Sequence, residues 1–443
     1  MGQSRVRVGV LSLHNSKETK AILNAVDALG HVPEWLREEN TVVHFADDGV
    51  HLRPDVDVVV NRLLLSKTDH PLEDHGIALT LHAVRPMLNS PDATSRAAHK
   101  TAAAAVLARA GIRTPETVFA LSGDLLSEFR PLFGPSAVYK TAVGTNGRGT
   151  WCVDEQESFT GKVGTNRAFL QAFVETPEQP RDLRVYVVGD EVIGSMFRYA
   201  PEGDWRTNVA LGGTVEDASD EVTPDLLTLA RDATAAMGLD YAGVDLIEGD
   251  DGWYVLEVNP TAGFRGLYRA TGTSPAPYIA RLAIERAGGT VDEERVRDLA
   301  ATLDDSEPAC APTPLSHVSD DPVVIGLTER VVVSGTTGTE TVVGKADTGA
   351  ERTSIDIRLA AEIGAGPIHT ARRVRSGSVK SGQSRPVVDV VIGVGGTQHT
   401  VAANVVDRGH MTHPVLLGRD ILTHYHLDVN RRVDDREESS ETE

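Results

Sequence analysis

The stretch Tyr241–Asn259, YAGVDLIEGDDGWYVLEVN, predicts the fold around it. Two apolar runs flank a cluster of aspartate and glycine, which is a β-hairpin pattern. Side chains alternate between the two faces of a strand, so Glu257 and Asn259 project to the same side. A three-residue loop, Asp250-Asp251-Gly252 with its glycine left-handed, would place Asp245 opposite Glu257.

This arrangement would bring two carboxylates and an amide oxygen to one sheet face. Like charges that close do not both stay ionised without a cation between them. Hard oxygen ligands with few protein contacts suit Mg²⁺ (or Mn²⁺) shared with phosphate groups. The alternative is a surface hairpin with solvated acids, so the metal interpretation needs nucleotide-binding residues elsewhere in the chain.

The composition indicates a multidomain, acidic protein. The chain has 443 residues, 64 Asp and Glu against 43 Lys and Arg, and a formal net charge of -21. Such a balance, with arginine preferred to lysine and few aromatic residues, indicates a cytoplasmic protein adapted to high salt. Non-specific binding of nucleic acid is disfavoured because it needs a basic face. No apolar run approaches the ~20 residues of a membrane span, and Cys152 and Cys310 form no CxxC motif.

The N-terminal region has the pattern of a small βαβ domain. Buried-strand patterns at 5–13 and 55–62 flank a helix that Ser16 begins and Gly30 ends. Arg62 lies at the carboxyl end of the second strand, where open α/β sheets bind ligands. A solvated loop arginine is the alternative interpretation at this position.

A glycine-rich loop follows a strand that ends near Lys140. Gly144, Gly147 and Gly149 fall within six residues, and such a backbone turns its amides toward phosphate oxygens. Lysine, scarce in this chain, is a compact charge suited to phosphate. The loop is not a Walker motif, because no Gly-Lys-Ser/Thr ends it. The helices and strands predicted on either side of it are an alanine-rich helix at 95–110, strands at 182–188 and 191–199, and a helix at 224–237.

Residues 5 to about 288 resemble the RimK-type ATP-grasp carboxylate–amine ligases. The matching segments are LNSPDA (88–93), Lys100 with the LARAGIRTPET that follows it, YKTAVGTNGRG (139–149), DLRVYVVGDEV (182–192), WRTN (205–208), AGVDLIEGDDG (242–252) and LEVNP (256–260). The resemblance implies ATP between two α+β subdomains, contacted by Lys100, Lys140, Gly144, Gly147, Gly149, Ala172, Phe173, Asp182, Arg206, Thr207 and Asn208. It implies Mg²⁺ at Asp245, Glu257 and Asn259, and roles for Arg206 and Asn208 at the reacting carboxylate.

The acidic, proline-bearing linker at 291–321 predicts a helix to about Leu303 and then a flexible segment, after which short β-branched strands predict a small closed β domain. It resembles the retropepsin-like domain called "ATP-dependent zinc protease" that occurs with RimK-type ligases. Asp347, in Asp-Thr-Gly, would share a proton with a second aspartate and activate water. The chain has one such motif, so the second would come from a symmetric dimer; a purely structural turn is the alternative. Glu351 is the expected ion-pair partner of Arg419, and no HExxH motif supports zinc.

The fold class predicted is therefore multidomain: an α/β N-terminal domain, an α+β ATP-grasp fold, and a small all-β retropepsin-like acid-protease barrel. The predicted boundaries are 1–94, 95–290, 291–321, 322–430 and an acidic tail, 431–443. The expected activity is ATP-dependent amide formation through an acyl phosphate, with glutamate as the amino acid and an amine, peptide or protein as acceptor. The alternatives are a C-terminal domain that only dimerises or binds peptide, and a ligase for a carrier protein or coenzyme tail.

Overall fold

The computed structural model of the chain describes residues 5–14, 16–68, 70–144, 149–164, 166–176, 179–207, 212–312, 323–366, 368–374 and 383–433, with only the backbone at 368–374 and 383–384. The chain divides into two compact units, Met1–Leu315 and Ser316–Glu443, which are described separately. Among the described residues, no helix has both the length and the apolar character needed to span a bilayer.

The strands of the first unit are β1 (Arg7–Leu11), β2 (Val32–Leu36), β3 (Val42–Ala46), β4 (Gly49–Arg53), β5 (Val58–Asn61), β6 (Met87–Leu88), β7 (Thr117–Phe119), β8 (Ser136–Thr141), β9 (Thr150–Asp154), β10 (Ala168–Ala172), β11 (Arg181–Val188), β12 (Glu191–Tyr199), β13 (Thr214–Asp217), β14 (Tyr241–Gly249) and β15 (Gly252–Asn259). Its α-helices are α1 (Lys17–Ala28), α2 (Pro71–Val84), α3 (Pro91–Ala98), α4 (Lys100–Arg109), α5 (Gly123–Phe129), α6 (Pro224–Met237), α7 (Arg265–Thr271), α8 (Ala276–Arg286) and α9 (Glu293–Ala300). Short 3₁₀ helices lie at Arg130–Phe133 and Thr160–Val163.

The N-terminal sheet is parallel, with strand order β2-β1-β5-β6. Every residue of β5 is buried, as expected for a strand covered on both faces. The predicted start of α1 is confirmed: the Ser16 side chain accepts a hydrogen bond from the Thr19 amide at 3.2 Å. Gly30 follows the helix with φ of 85°, a left-handed conformation that favours glycine.

Asn89 joins this sheet to the hairpin that follows α6. Its side chain is fully buried and donates to Tyr241 O (2.9 Å) and Pro260 O (3.2 Å). The same side chain accepts from the amides of Asp240 (2.8 Å) and Tyr241 (3.1 Å). Its φ of 55° lies in the left-handed region, which asparagine tolerates better than most residues. These bonds fix the end of β6 to both ends of the candidate metal-binding hairpin.

Two antiparallel sheets follow, β7-β10-β8-β9 and β13-β12-β11-β14-β15. In the second, β14 pairs with β15 and Asp245 lies opposite Glu257, as the sequence predicts. The predicted three-residue loop is wrong. Gly249 pairs with Gly252, so the loop has two residues, and the register shifts beyond Asp245 so that Leu256 is the extra residue of a β-bulge. The bulge, not the loop, aligns the two carboxylates.

The single helix predicted at 95–110 is also wrong. The chain forms α3 and α4 with a break at His99, whose φ and ψ are -102° and 101°. Alanine-rich sequence favours helix, but here the backbone leaves the helix to pair with a neighbouring strand end. His99 forms a bridge with Val143, and the Lys100 amide donates to Ala142 O at 2.8 Å. The break therefore places Lys100 at the start of α4, beside the glycine-rich loop.

The helix predicted at the start of the linker is present as α9, and residues 304–309 of the part predicted as flexible pack on α1. The Asn24 side chain donates to the carbonyl oxygens of Asp304 (3.2 Å) and Glu307 (2.7 Å), and accepts from the Ala309 amide (2.6 Å). Asp305 forms an ion pair with Arg265, with Oδ2 2.8 Å from Nε. Composition suggested flexibility, but these specific polar contacts hold the segment.

The second unit contains β16 (Val324–Gly326), β17 (Thr328–Ser334), β18 (Thr339–Ala346), β19 (Ser354–Asp356), β20 (Ile368–Val374), β21 (Gln383–Val394), β22 (Thr397–Val406), β23 (Val415–Leu417) and β24 (His426–Asp428), with helices α10 (Ile357–Glu362) and α11 (Arg419–Leu422). Strands β17, β18, β23, β19, β22 and β21 form a ring, because β17 also pairs with β21. The ring is a closed six-stranded barrel around a buried aliphatic core, which confirms the predicted closed β domain.

Candidate active site

A cleft of about 620 Å³ lies within the first unit, between the two antiparallel sheets and the N-terminal sheet. Nine of the residues that line it are lysine or arginine, and four are aspartate or glutamate. The excess of positive charge is notable in a chain whose formal net charge is -21. A cleft with walls of one sign concentrates ligands of the opposite sign. The cleft is therefore suited to anions.

Lys140 and Lys100 bring two ammonium groups into the cleft from β8 and from the start of α4. The Lys140 Nζ donates to the Gln171 Oε1 at 2.7 Å, a neutral partner. The pKa of Lys140 is lowered to about 8, chiefly by burial and also by the charge of Lys100, while Glu257 and Asp245 oppose the shift. Lys100 Nζ lies 3.3 Å from Glu257 Oε2 and donates to Gly144 O at 3.0 Å. Among the described residues, Lys140 is thus a partly buried cation with no carboxylate within ion-pair distance.

Two arginines hold the buried aspartates of the cleft. Arg184 lies opposite Asp245 across β11 and β14, with both nitrogen–oxygen distances at 2.6 Å. Arg198 lies opposite Asp182 across β11 and β12, also with two distances of 2.6 Å, and its Nη2 is 2.8 Å from Asp245 Oδ2. Burial alone would raise the pKa of Asp245, but Arg184 and Arg198 outweigh it and the pKa is lowered. The carboxylate is therefore ionised.

The oxygen set predicted for a divalent cation is present on one face of the hairpin. Asp245 and Glu257 are cross-strand neighbours, and Asn259 follows Glu257 by two residues on the same face. A carboxylate has about four acceptor positions, and arginine nitrogens approach Asp245 along three of them. One position remains, Glu257 is partly exposed, and Asn259 Oδ1 accepts from the Thr261 amide at 3.0 Å. The donor set fits Mg²⁺ with several ligands left to water or phosphate.

The other residues predicted for nucleotide binding fall into three groups. Gly144, Arg206 and Thr207 line the cleft. Ala172 ends β10, and the Phe173 ring packs against the Trp205 ring, with centroids 5.6 Å apart. Gly147 and Asn208 lie outside the described residues.

Several of these side chains already have partners within the protein. The Arg206 guanidinium binds Asp204 at 2.7 Å, and this bond lowers the pKa of Asp204 to about 2. The Thr207 hydroxyl donates to Asp182 Oδ2 at 2.5 Å. Gly149 has φ of 77°, and a Cβ there would meet Thr141 Oγ1 at 2.8 Å, so only glycine fits. Asp182 is thus engaged by Arg198 and Thr207 on the wall of the cleft.

Sequence reasoning missed Arg184 and Gln171. A signal for Arg184 was present, because Asp182 and Arg184 are two residues apart in the strand DLRVYVV and therefore project from the same face. Their pairing with Arg198 and Asp245 needed the strand order of the sheet. Gln171 gave no signal, since its role depends on β10 lying beside β8.

In the second unit, Asp347 lies on the turn after β18. Its amide donates to Leu417 O at 3.0 Å, and its Oδ1 accepts from the Gly349 amide at 2.9 Å. The predicted Glu351–Arg419 ion pair is wrong: Arg419 Nη1 donates to Thr348 O at 3.0 Å, and Glu351 is exposed. Among the described residues, no cluster of three or more histidine, cysteine, aspartate or glutamate side chains could hold a metal.

Comparison with known proteins gives the class of the first unit. Residues 97–282 match the model of the RimK-like ATP-grasp domain. The chain is 33% identical over 287 residues to a probable alpha-L-glutamate ligase of Stenotrophomonas maltophilia, covering 62% of this chain and 97% of that protein. It is 34% identical over 209 residues to the tetrahydromethanopterin:alpha-L-glutamate ligase of Methanocaldococcus jannaschii, covering 45% and 70%.

The chain therefore belongs to the RimK-like ATP-grasp family. It is an enzyme, an ATP-grasp ligase, and its cofactors are ATP and Mg²⁺, as the sequence predicted. A solved structure of the ATP-grasp ligase PsnB with its minimal precursor is similar in fold, with a TM-score of 0.51 and 21% identity, covering 64% of this chain and 100% of that one. The predicted ATP-grasp fold is confirmed.

Proposed function

We propose that this protein is a RimK-type ligase that joins glutamate to an amine or peptide acceptor. A substrate carboxylate attacks the γ-phosphate of ATP, the bond to the β-phosphate oxygen breaks, and ADP leaves. The amine then attacks the acyl phosphate and phosphate departs. Phosphoryl transfer of this kind needs positioning and charge neutralisation more than a protein nucleophile. The observation that carries the proposal is the positively charged cleft, built around a paired Asp245 and Glu257 in an acidic chain.

Lys140 and Lys100 are proposed to bind the phosphates. Both ammonium groups reach the cleft, and the neutral contact of Lys140 with Gln171 leaves its charge free for an anion. The contact of Lys100 with Gly144 O places it against the glycine-rich loop, whose backbone amides would complete the phosphate site. Apolar side chains at Leu107 and Ile247 line the same cleft and suit the face of a base.

Asp245, Glu257 and Asn259 are proposed to hold Mg²⁺, which neutralises phosphate charge when bound. Arg184 and Arg198 keep the Asp245 carboxylate ionised and fixed in direction. In the protein alone Arg206 pairs with Asp204. We propose that it leaves Asp204 and contacts the reacting carboxylate of the substrate instead. Arginine suits this exchange because its planar fork binds either carboxylate in two places.

The test is ADP release from the full-length protein with ATP, Mg²⁺ and each of a panel of amino acids and acceptors, with mass spectrometry of the products. Glutamate is expected to support the reaction. Lys140→Ala is expected to abolish it. Lys162→Ala is the matched control, because Lys162 does not line the cleft and its Nζ pairs with Glu157 Oε1 at a distance of 2.8 Å. The proposal would be refuted if the protein binds nucleotide but forms no ADP from ATP with any pair of amino acid and acceptor.

The acceptor panel decides between the alternatives for the second substrate. The relatives include a ligase that adds glutamate to tetrahydromethanopterin and one of similar fold that binds a precursor peptide. A peptide with a terminal carboxylate, a carrier protein and a pterin coenzyme with a glutamyl tail should therefore each be offered. We propose the peptide as the acceptor; product formed with the coenzyme alone would replace it.

For the second unit we propose an aspartic-peptidase-like domain that pairs with a second copy. The support is the closed barrel with Asp347 on a turn that is tied to β23 and to Arg419. Two such turns would bring two carboxylates together. Loss of peptide cleavage in Asp347→Asn with ligation retained would support this role. If neither activity changes, the domain is a dimerising or peptide-binding module. A cytoplasmic location is proposed because the reaction consumes ATP.

A further inference from the structure

Arg62 is a buried cation that has no counter-ion among the residues that the structure describes. It follows β5, is 3% exposed, and its Nε and Nη1 have no hydrogen-bond partner. Its Nη2 lies 3.5 Å from Thr261 O, and its guanidinium lies 5.3 Å from the ring centre of Phe264. Among the described side chains, no carboxylate forms a hydrogen bond with its Nε or Nη1. An unpaired buried charge is costly to a folded protein, so a ligand that pairs with it is indicated.

Two further cations, Lys17 and Lys67, line the same cleft as Arg62, and so does His14. Burial lowers the pKa of His14, and the charges of Arg62 and Lys67 lower it further. Glu18 also lines the cleft, and its carboxylate accepts from the Ser16 hydroxyl at 3.0 Å. The first turn of α1 adds the positive end of a helix.

The position of Arg62 relates it to the reaction centre. Arg62 contacts the carbonyl oxygen of Thr261. The amide of the same residue donates to Asn259 Oδ1 at 3.0 Å. The proposed Mg²⁺ ligand and the arginine are thus separated by one short backbone segment. Lys140 belongs to a different sheet, β8 with β10, whereas Arg62 follows the parallel N-terminal sheet. The cleft therefore has two cationic regions from two parts of the fold.

We infer that Arg62 binds a carboxylate of the amino acid that supplies the amine. This inference rests on the proposed function. The phosphates of the nucleotide are assigned to Lys140 and Lys100, which leaves Arg62 for a second anion. Its unpartnered Nε and Nη1 offer donors in the fork geometry that matches a carboxylate. Glutamate carries two carboxylates that do not react when its amine attacks, and one of them requires such a partner.

The direct test is equilibrium binding of glutamate to the full-length protein with ADP and Mg²⁺, by calorimetry. Arg62→Gln is expected to weaken glutamate binding about 10- to 100-fold, since it removes a charge-assisted hydrogen bond, and to leave ADP binding unchanged. Arg62→Lys should recover part of the loss. The matched control is Arg7→Gln, because Arg7 lies on β1 of the same sheet and pairs with the surface residue Glu34 at 3.1 Å.

A thermal melt separates ligand binding from a structural role. If Arg62 only supported the fold, its replacement would lower the melting temperature. Arg62→Met removes an unpaired buried charge, so the ligand-free variant should melt at or above the temperature of the wild type. Glutamate should raise the melting temperature of the wild type and not of the variant.

Kinetics distinguish this inference from the proposed function. The inference is supported if the wild type ligates and Arg62→Gln has a raised KM for glutamate and an unchanged KM for ATP. If the wild type ligates and the KM for glutamate is the same in Arg62→Gln, the role of Arg62 is overturned and the proposed ligase function stands. Wild-type protein that binds no amino acid and releases no ADP overturns both. Glutamine lacks the γ-carboxylate and the α-amide of glutamate lacks the α-carboxylate. The analogue that lacks the carboxylate bound by Arg62 should bind equally well to the wild type and to Arg62→Gln, which identifies that carboxylate.

Discussion

The pKa of Lys140 predicts a pH dependence of nucleotide binding that an ordinary lysine would not give. Burial is the largest cause of the shift from 10.5 to about 8, and the nearby charge of Lys100 adds to it. A bound phosphate favours the protonated form, so binding holds while Lys140 is charged and weakens as pH rises through the pKa of the free protein. Above about pH 8, each pH unit should weaken binding about tenfold, or ~1.4 kcal/mol.

The magnitude can be compared with that of an unshifted group. At about pH 9, a lysine of pKa about 8 is roughly 10% protonated, whereas one of pKa 10.5 is roughly 97% protonated. The dissociation constant for ADP should therefore rise roughly tenfold between about pH 7.5 and about pH 9. Calorimetry in the presence of a chelator measures it, because without Mg²⁺ the charges around Lys140 are those of the protein alone.

Lys140→Arg is the control for this prediction, because the guanidinium keeps its charge throughout the range. Its binding constant should stay level where that of the wild type falls. A wild-type constant that does not change up to about pH 9.5 would refute the reasoning. It would mean that Lys140 is not buried in solution or that nucleotide binding does not use its charge.

Three further outcomes follow from other contacts. Asn89→Ala removes four hydrogen bonds from a buried site, and urea unfolding should show a loss of about 2–4 kcal/mol. Arg198→Met leaves Asp182 and Asp245 short of a counter-ion and should lower the free energy of unfolding by about 3–5 kcal/mol; a loss below about 1 kcal/mol would contradict the buried pairing. Glu257→Gln should leave stability nearly unchanged, because Glu257 is partly exposed, while Mg²⁺ should no longer tighten ADP binding in calorimetry.

The sequence predicted the hairpin and the facing of Asp245 and Glu257, but for a wrong local reason. A loop one residue shorter than expected would have turned Asp245 to the other face, and the bulge at Leu256 restored the alignment. Apolar patterning determines which residues face inward, whereas a bulge is fixed by packing that no short window of sequence contains. The facing of the two carboxylates was therefore predicted correctly although the loop was not.

Propensity failed where tertiary contacts compete with it. The alanine-rich segment around His99 favours an unbroken helix, but pairing with Val143 interrupts it and delivers Lys100 to the cleft. The acidic segment near Asp305 has the composition of a linker, yet Arg265 and Asn24 hold it in place. In both places the deciding partner is far away in sequence.

The charges of the cleft bear on the proposal that one site binds two anionic substrates. Asp182 and Asp245 are neutralised by arginines, and Glu257 has Lys100 as a partner. Lys140 contacts a neutral amide and Arg62 has no counter-ion among the described residues. Lys140 lies in β8 and Arg62 directly follows β5 of a different sheet, so each would bind its own anion in the proposed reaction. Buried charges are screened less by salt than surface ones. Binding of both substrates should therefore fall less steeply with added salt than binding at an open basic surface.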